Sequence, residues 1–272
     1  MSNNVTSSTS IKYDMEKGDR EKQFKKIEKQ LSRIPKEIIP LGNADKDGWY
    51  EKWDEGRDLL NYPHPVRICL FGKPHTGKTN YLKNFLVRAF PPFERVVVIH
   101  CAKGSTKEYD DLGKNVEMLS EIPEPMFWKD NKKKTICICD DMDFRSANKD
   151  QRKNLSRLVG YCSSHHNLSV AVTQQDYAET PPIVRRCANV FVIWSSHDSG
   201  SMAHLARKAG MKSSDLRTIF ETICNKHRDS LTIDLTEGSP AKFRKNAYEV
   251  LERVEGEDAE KERIKNDSFV KK

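Results

Sequence analysis

No run of apolar residues in this 272-residue chain approaches the roughly 18 that a helix needs to cross a bilayer. The first ten residues are polar instead of basic and then apolar, so neither a membrane span nor a secretory leader is expected. The seven cysteines, at positions 69, 101, 137, 139, 162, 187 and 224, contain no C-x-x-C pair. An odd, scattered set with several members inside apolar stretches argues against a disulfide framework and reads as reduced core thiols. No segment repeats at a fixed period, which excludes solenoids and propellers. Apolar residues are themselves scarce, at 36%, and the scarcity lies at the ends. Residues 1–60 hold 18 of them and residues 252–272 hold 5.

Charge divides the same way. The formal net charge of +7 resolves into +8 over residues 61–251, zero over 1–60 and −1 over 252–272. The expected organisation is a charged N-terminal extension at 1–60, a compact domain at 61–251 and a charged tail at 252–272. In the extension, Phe24, Ile27, Leu31 and Ile34 recur at helical spacing and predict an amphipathic helix. Trp49, Tyr50 and Trp53 are expected to pack against the domain that follows. A basic body suits an acidic partner such as nucleic acid. No zinc-finger or recognition-helix pattern supports base-specific reading.

From Val66 onward, β-rich bursts at 66–71, 96–100, 135–140, 169–173, 190–194 and 231–235 alternate with helical segments near 78–89, 148–164, 201–209, 214–226 and 242–253. That alternation predicts an α/β fold with a largely parallel central sheet flanked by helices. The last burst is a candidate antiparallel edge strand.

The first burst runs into Gly72-Lys73-Pro74-His75-Thr76-Gly77-Lys78-Thr79, a full match to G-x-x-x-x-G-K-[ST]. It opens a segment in which Tyr81, Leu82, Phe85 and Leu86 share one helical face. Glycines at 72 and 77 let backbone N–H groups approach phosphate oxygens, and the helix N-terminus adds its positive dipole end. Gly72, Lys73, Pro74, His75, Thr76, Gly77, Lys78, Thr79 and Asn80 are therefore the candidate nucleotide-binding residues. Lys78 would reach the β- and γ-phosphates of ATP, and the Thr79 hydroxyl would ligate Mg²⁺.

A second signal is the apolar strand 135–139 ending in Asp140-Asp141. Parallel strands present functional groups at their C-terminal edge, the edge that carries the phosphate loop. Asp140 is the candidate second metal ligand. Asp141 is the candidate base that orients and deprotonates the attacking water, with Asp143 further out in the loop. The strand 169–173 ends in Gln174, whose amide is suited to bond the γ-phosphate or that water. The lysines at 132–134 and Arg207, Lys208 and Lys212 are candidate contacts to DNA phosphates. Cys162, His165 and His166 lack a fourth ligand at suitable spacing and read as a helix end feeding a strand, not a metal site.

In order, the phosphate loop, Asp140-Asp141, Arg157-Leu158, His165-His166-Asn167-Leu168-Ser169, Thr173-Gln174, Ala188-Asn189-Val190, Ser195-Ser196 and Asp198-Ser199 resemble the FtsK–HerA superfamily of DNA-pumping ATPases. The His-x-Asn-x-Ser approach to the Thr-Gln strand looks like the viral genome-packaging branch of poxviruses, virophages and Polinton-like elements. So does 229–235 with Arg244-Lys245-Asn246. The likeness spans about residues 66–251. It implies a RecA-like (ASCE) P-loop domain that forms a homo-oligomeric ring, hydrolyses ATP at subunit interfaces and pumps double-stranded DNA. It further implies a capsid protein as partner and a virion or host-cell cytoplasmic, viral-factory location. Asp141 stands where the wider superfamily often has Glu, and Ser164 stands before His165 where an Arg is often found. If that Arg is a finger acting in trans, Arg186 is the preferred replacement, ahead of Arg185 and Arg157. The alternatives are a cellular or mobile-element DNA motor of the same superfamily, and a switch or scaffold that binds ATP without hydrolysing it.

Overall fold

The computed structural model describes residues 22, 25, 26, 49–101, 108–113, 116–194 and 199–251. The chain divides into two units, 1–48 and 49–272. In the first, Lys22, Lys25 and Lys26 are helical and exposed. The remainder of the expected amphipathic helix, the tail at 252–272 and the Ser195-Ser196 segment lie outside the described residues.

In the second unit the β-branched bursts become strands because each is covered on both faces. They are β1 (Arg67–Phe71), β2 (Arg95–Ile99), β3 (Val116–Leu119), β4 (Thr135–Cys139), β5 (Leu168–Gln174), β6 (Val190–Ile193), β7 (Leu231–Asp234), β8 (Phe243–Lys245) and β9 (Glu249–Val250). Among the described residues they form one sheet in the order β3-β2-β4-β5-β1-β6-β7-β8-β9. The first six are parallel and the last three antiparallel. The α/β fold with a largely parallel sheet is thus observed.

Alternate strand residues feed two cores, as the two-residue period of a strand requires. Ile68, Leu70, Val98, Ile138 and Val192 face α1 (Lys78–Arg88), whose Tyr81, Leu82 and Phe85 are buried, together with Leu60 and Tyr62 from the preceding segment. Cys69, Val97, Cys139, Val172 and Phe191 face the other side. There α2 (Lys149–Arg157), α3 (Pro182–Cys187), α4 (Ser199–Ala209) and α5 (Ser213–Ile223) cover the sheet through Leu155, Val184, Leu205 and Leu216. Each such aliphatic side chain contributes about 1.5–3 kcal/mol by leaving water. Six of the seven cysteines are buried or partly buried, and all seven are free.

Three expectations change. The segment expected as a helix at 242–253 is, over its described residues 242–251, the hairpin β8–β9, because pairing with β7 and burial of Arg244 outweigh the helical spacing of its apolar residues. The Arg244 guanidinium is fully buried, donates to Asp234 Oδ2 at 3.2 Å and Tyr62 Oη at 2.9 Å, and Asn246 turns the chain at φ 54°. β7 is antiparallel as expected, but β8 covers its outer side, so it is not an edge. Lys134 is buried instead of facing DNA, its Nζ held by Glu51 at 2.5 Å and by Pro91 O at 2.6 Å. The same segment brings Trp53 onto Thr236 Oγ1 at 2.7 Å, so residues 49–60 pack as part of this unit.

Candidate functional site

β1 ends where its neighbours leave little room. A Cβ on Gly72 would lie 2.6 Å from Thr76 Oγ1 and 3.0 Å from Trp194 Cβ, so only glycine allows the chain to turn under Trp194. Gly77 then takes φ 114°, a conformation that side chains oppose, and leads into α1. The loop is closed from within: Thr76 Oγ1 donates to Lys73 O at 2.8 Å, and Lys78 Nζ donates to Gly72 O at 2.6 Å and Lys73 O at 3.2 Å. Burial lowers the Lys78 pKa, and the negative fields of Asp141, Asp140 and Glu108 oppose that shift.

A cleft of about 780 Å³ opens over this loop. His75, Thr76, Gly77, Lys78, Thr79 and Asn80 line it, while Gly72, Lys73 and Pro74 form the limb of the loop outside the lining. Asn84, Arg228, Asn246 and Tyr248 also line it, and of these only Asn246 belongs to a motif noted in the sequence. Such a volume, lined by the phosphate loop, aromatic rings and amides, suits a nucleotide.

β5 lies between β1 and β4, so the acidic strand does not touch the phosphate-loop strand. β2, the burst between the two motifs in sequence, lies beyond β4. The carboxylate of Asp140 is 4% exposed. Thr173 Oγ1 donates to its Oδ1 at 2.6 Å and Tyr109 Oη donates to its Oδ2 at 2.8 Å. Burial and the Asp140 charge together raise the Tyr109 pKa, keeping that phenol protonated as the donor. Asp141 follows with φ 46°, its backbone N–H donating to Thr173 Oγ1 at 2.9 Å. Its side chain is exposed and lines a second cleft, of about 580 Å³, with Asp143, Arg145, Gln174 and Glu179. Gln174 is 5% exposed and its Nε2 donates to Met142 O at 2.8 Å. Its amide nitrogen is therefore committed to holding the loop after Asp141. Asp143 accepts from the N–H groups of Arg145 and Ser146, which keeps its pKa low, and it faces solvent.

Three oxygen donors gather beside the loop: the Thr79 hydroxyl, the Asp140 carboxylate and the Glu108 carboxylate, which accepts from Thr79 Oγ1 at 3.2 Å. That set fits a small hard cation such as Mg²⁺, which takes one or two carboxylates and completes its shell with phosphate and water oxygens. Sequence reading found Thr79 and Asp140 but missed Glu108 and Tyr109. They belong to no motif, and they lie in the β2–β3 connection, far in sequence from both partners.

Three residues stand apart from this site. Arg186 is exposed at the end of α3, which leads into the start of β6 and so toward the opposite sheet edge, and its backbone oxygen accepts from Lys208 Nζ at 2.9 Å. Arg185 is drawn inward over the Tyr177 ring, 5.0 Å from its centroid. Arg157 is exposed at the end of α2. Cys162 is fully buried and His165 is exposed, and no group of three metal-ligating side chains occurs among the described residues.

No family model matches the chain, and no curated protein matches it. Among solved structures, the genome-packaging NTPase B204 of Sulfolobus turreted icosahedral virus 2, in complex with AMPPCP, is similar at 14% identity and a TM-score of 0.49, over 69% of this chain and 99% of that one. The cytoplasmic domain of the Thermomonospora curvata type VII secretion ATPase EccC is similar at 8% identity and a TM-score of 0.48, over 72% of this chain and 26% of that one. The pCW3 conjugation coupling protein TcpA, with ATPγS, is similar at 12% identity and a TM-score of 0.46, over 73% and 69%.

Proposed function

We propose that the chain is an ATP-hydrolysing motor that moves double-stranded DNA and packages a viral genome into a capsid, working as a homo-oligomeric ring. The observation that carries this reading is the convergence of three strand ends on one sheet edge: the phosphate loop after β1, Asp140-Asp141 after β4 and Thr173-Gln174 at the end of β5, with β5 interposed. Lys78 leaves its loop carbonyls for the β- and γ-phosphates, where a mobile ammonium on a short tether gains more from the anion than from two carbonyls. The base rests beside Asn84, Asn246 and Tyr248. Thr79 and Asp140 hold Mg²⁺, which when bound neutralises phosphate charge. Asp141 takes a proton from water at its carboxylate, and Gln174 fixes the loop that carries it. With β5 hydrogen-bonded to both β1 and β4, a displacement at the phosphates is passed to the sheet and not dissipated in a loop.

Arg186, directed away from its own phosphate loop, acts on the nucleotide of the next subunit. The motif order 66–251 and the +8 charge of residues 61–251 support DNA as the track, gripped through its phosphates. A capsid protein as docking partner rests on the resemblance alone. Electron microscopy of the protein with an ATP analogue and linear duplex tests the reading. Closed rings threaded by DNA are expected, and monomers scattered independently of DNA and nucleotide would refute it.

A further inference from the structure

Residues 108 and 109 are adjacent in the β2–β3 crossover, and each touches a different candidate metal ligand. Tyr109 is 3% exposed, and its hydroxyl donates to Asp140 Oδ2 at 2.8 Å. Glu108 lines the nucleotide cleft and accepts from Thr79 Oγ1 at 3.2 Å. We propose that Glu108 and Tyr109 are positioning residues for the magnesium ligands, Tyr109 fixing the plane of the Asp140 carboxylate and Glu108 fixing the rotor of the Thr79 hydroxyl. The inference rests on the nucleotide reading above and deepens it.

The chemistry follows from the lone pairs. A carboxylate turns freely about its terminal bond until both oxygens are held. Here Thr173 holds one and Tyr109 the other, and each oxygen keeps further acceptor capacity for a cation or its water. A hydroxyl has one proton. Given to Glu108, that proton is kept away from the cation position and the oxygen lone pairs are left to face it. Two adjacent residues therefore set both ligands, and β2, the strand before them, pairs with β4, which Asp140 follows.

A fluorescent, non-hydrolysable ATP analogue, titrated into the full-length protein in excess magnesium and in EDTA, separates this from packing alone. Tyr109→Phe keeps the ring and loses only the hydroxyl, and Glu108→Ala changes an exposed position. Both are expected to bind the analogue in EDTA within about twofold of wild type. Both are expected to lose about tenfold of the strengthening that magnesium brings, the usual scale for groups that orient metal ligands. Glu108→Gln, whose amide oxygen still accepts from Thr79, is expected to regain most of it. Wild-type magnesium dependence in both variants would overturn the inference, as would an equal loss in the two conditions. If Tyr109→Phe melts early, Glu108→Ala decides alone. Failure of the wild type to bind the analogue in either condition would refute the nucleotide reading itself.

Discussion

At the start of β5, His64 stands between Asn167 and Ser169; at its end, Thr173 and Gln174 stand between the acidic loop and the phosphate loop. Both ends are polar and nearly closed to solvent, yet their hydrogen bonds are spent differently. At the start, Ser169 Oγ accepts from Val66 N at 2.9 Å, which leaves its proton for His64 Nδ1 at 2.8 Å. The other ring nitrogen then carries the hydrogen and donates to Asn167 Oδ1 at 2.7 Å, while Asn167 Nδ2 donates to Lys132 O at 2.8 Å. Burial lowers the His64 pKa to about 4, so the imidazole is neutral and fully bonded. At the end of β5, by contrast, charges are kept and acceptor capacity is left over. Asp140 is held by two donors, Asp141 is exposed at φ 46°, and Lys78 borrows carbonyls from its own loop. Saturated neutral bonds fix a strand. Charged groups with spare acceptors wait for a ligand, whereas a positive φ occurs at both ends, at Asn167 (51°) and Asp141 (46°). Asn167 and Ser169 of the motif order are therefore architectural, and the Thr-Gln part is where chemistry is expected.

That contrast breaks most sharply under substitution. Asp141→Asn is expected to lower ATP turnover by about 1000-fold while leaving analogue binding intact, the scale of losing a general base. Steady-state hydrolysis and a binding titration measure the two. Arg186→Ala is expected to cost at least about 100-fold in turnover if it serves as a finger. Mixing it with Asp141→Asn protein should restore part of the activity, because some interfaces then combine an intact base with an intact arginine. No recovery on mixing would remove Arg186 from that role.

The start of β5 predicts a stability effect and no catalytic one. The folded pKa of His64 lies below its unfolded value of 6.5, so the unfolded state binds more protons between pH 6.5 and about 4. Stability contributed by neutral His64 is whole above pH 6.5 and falls as pH drops through that window, by up to about 3 kcal/mol. Denaturant unfolding across this range checks it, with His64→Gln expected to flatten the slope and to leave analogue affinity at pH 7 unchanged. Smallest is the effect of the exposed lysines beside Lys134. Replacing Lys132 and Lys133 by Ala is expected to weaken duplex binding only a few-fold and to reduce its salt dependence, as loss of one or two phosphate contacts would.

The parts of this molecule that could be read in advance are those written in consecutive residues. The phosphate loop, Asp140-Asp141 and the Thr-Gln strand end are local strings, and a parallel sheet brings strand ends to one edge whatever the loops do. Glu108 and Tyr109 form no string, and it is a crossover that supplies them to their partners at 79 and 140. Lys134 reads as a surface charge until Glu51, 83 residues earlier, is folded against it. Residues 242–253 carry apolar spacing compatible with a helix, and pairing with β7 and the buried Arg244–Asp234 pair make a hairpin the better choice. In each case local propensity is overridden by a partner that is distant in sequence.

The central claim, that the charged edge hydrolyses ATP in response to DNA, is tested most directly by steady-state ATP turnover of the full-length protein with magnesium and increasing linear duplex. The account predicts turnover that rises with DNA, falls back as salt is added and is lost in Asp141→Asn. Analogue binding without turnover at any DNA concentration, or turnover in Asp141→Asn equal to wild type, would contradict it.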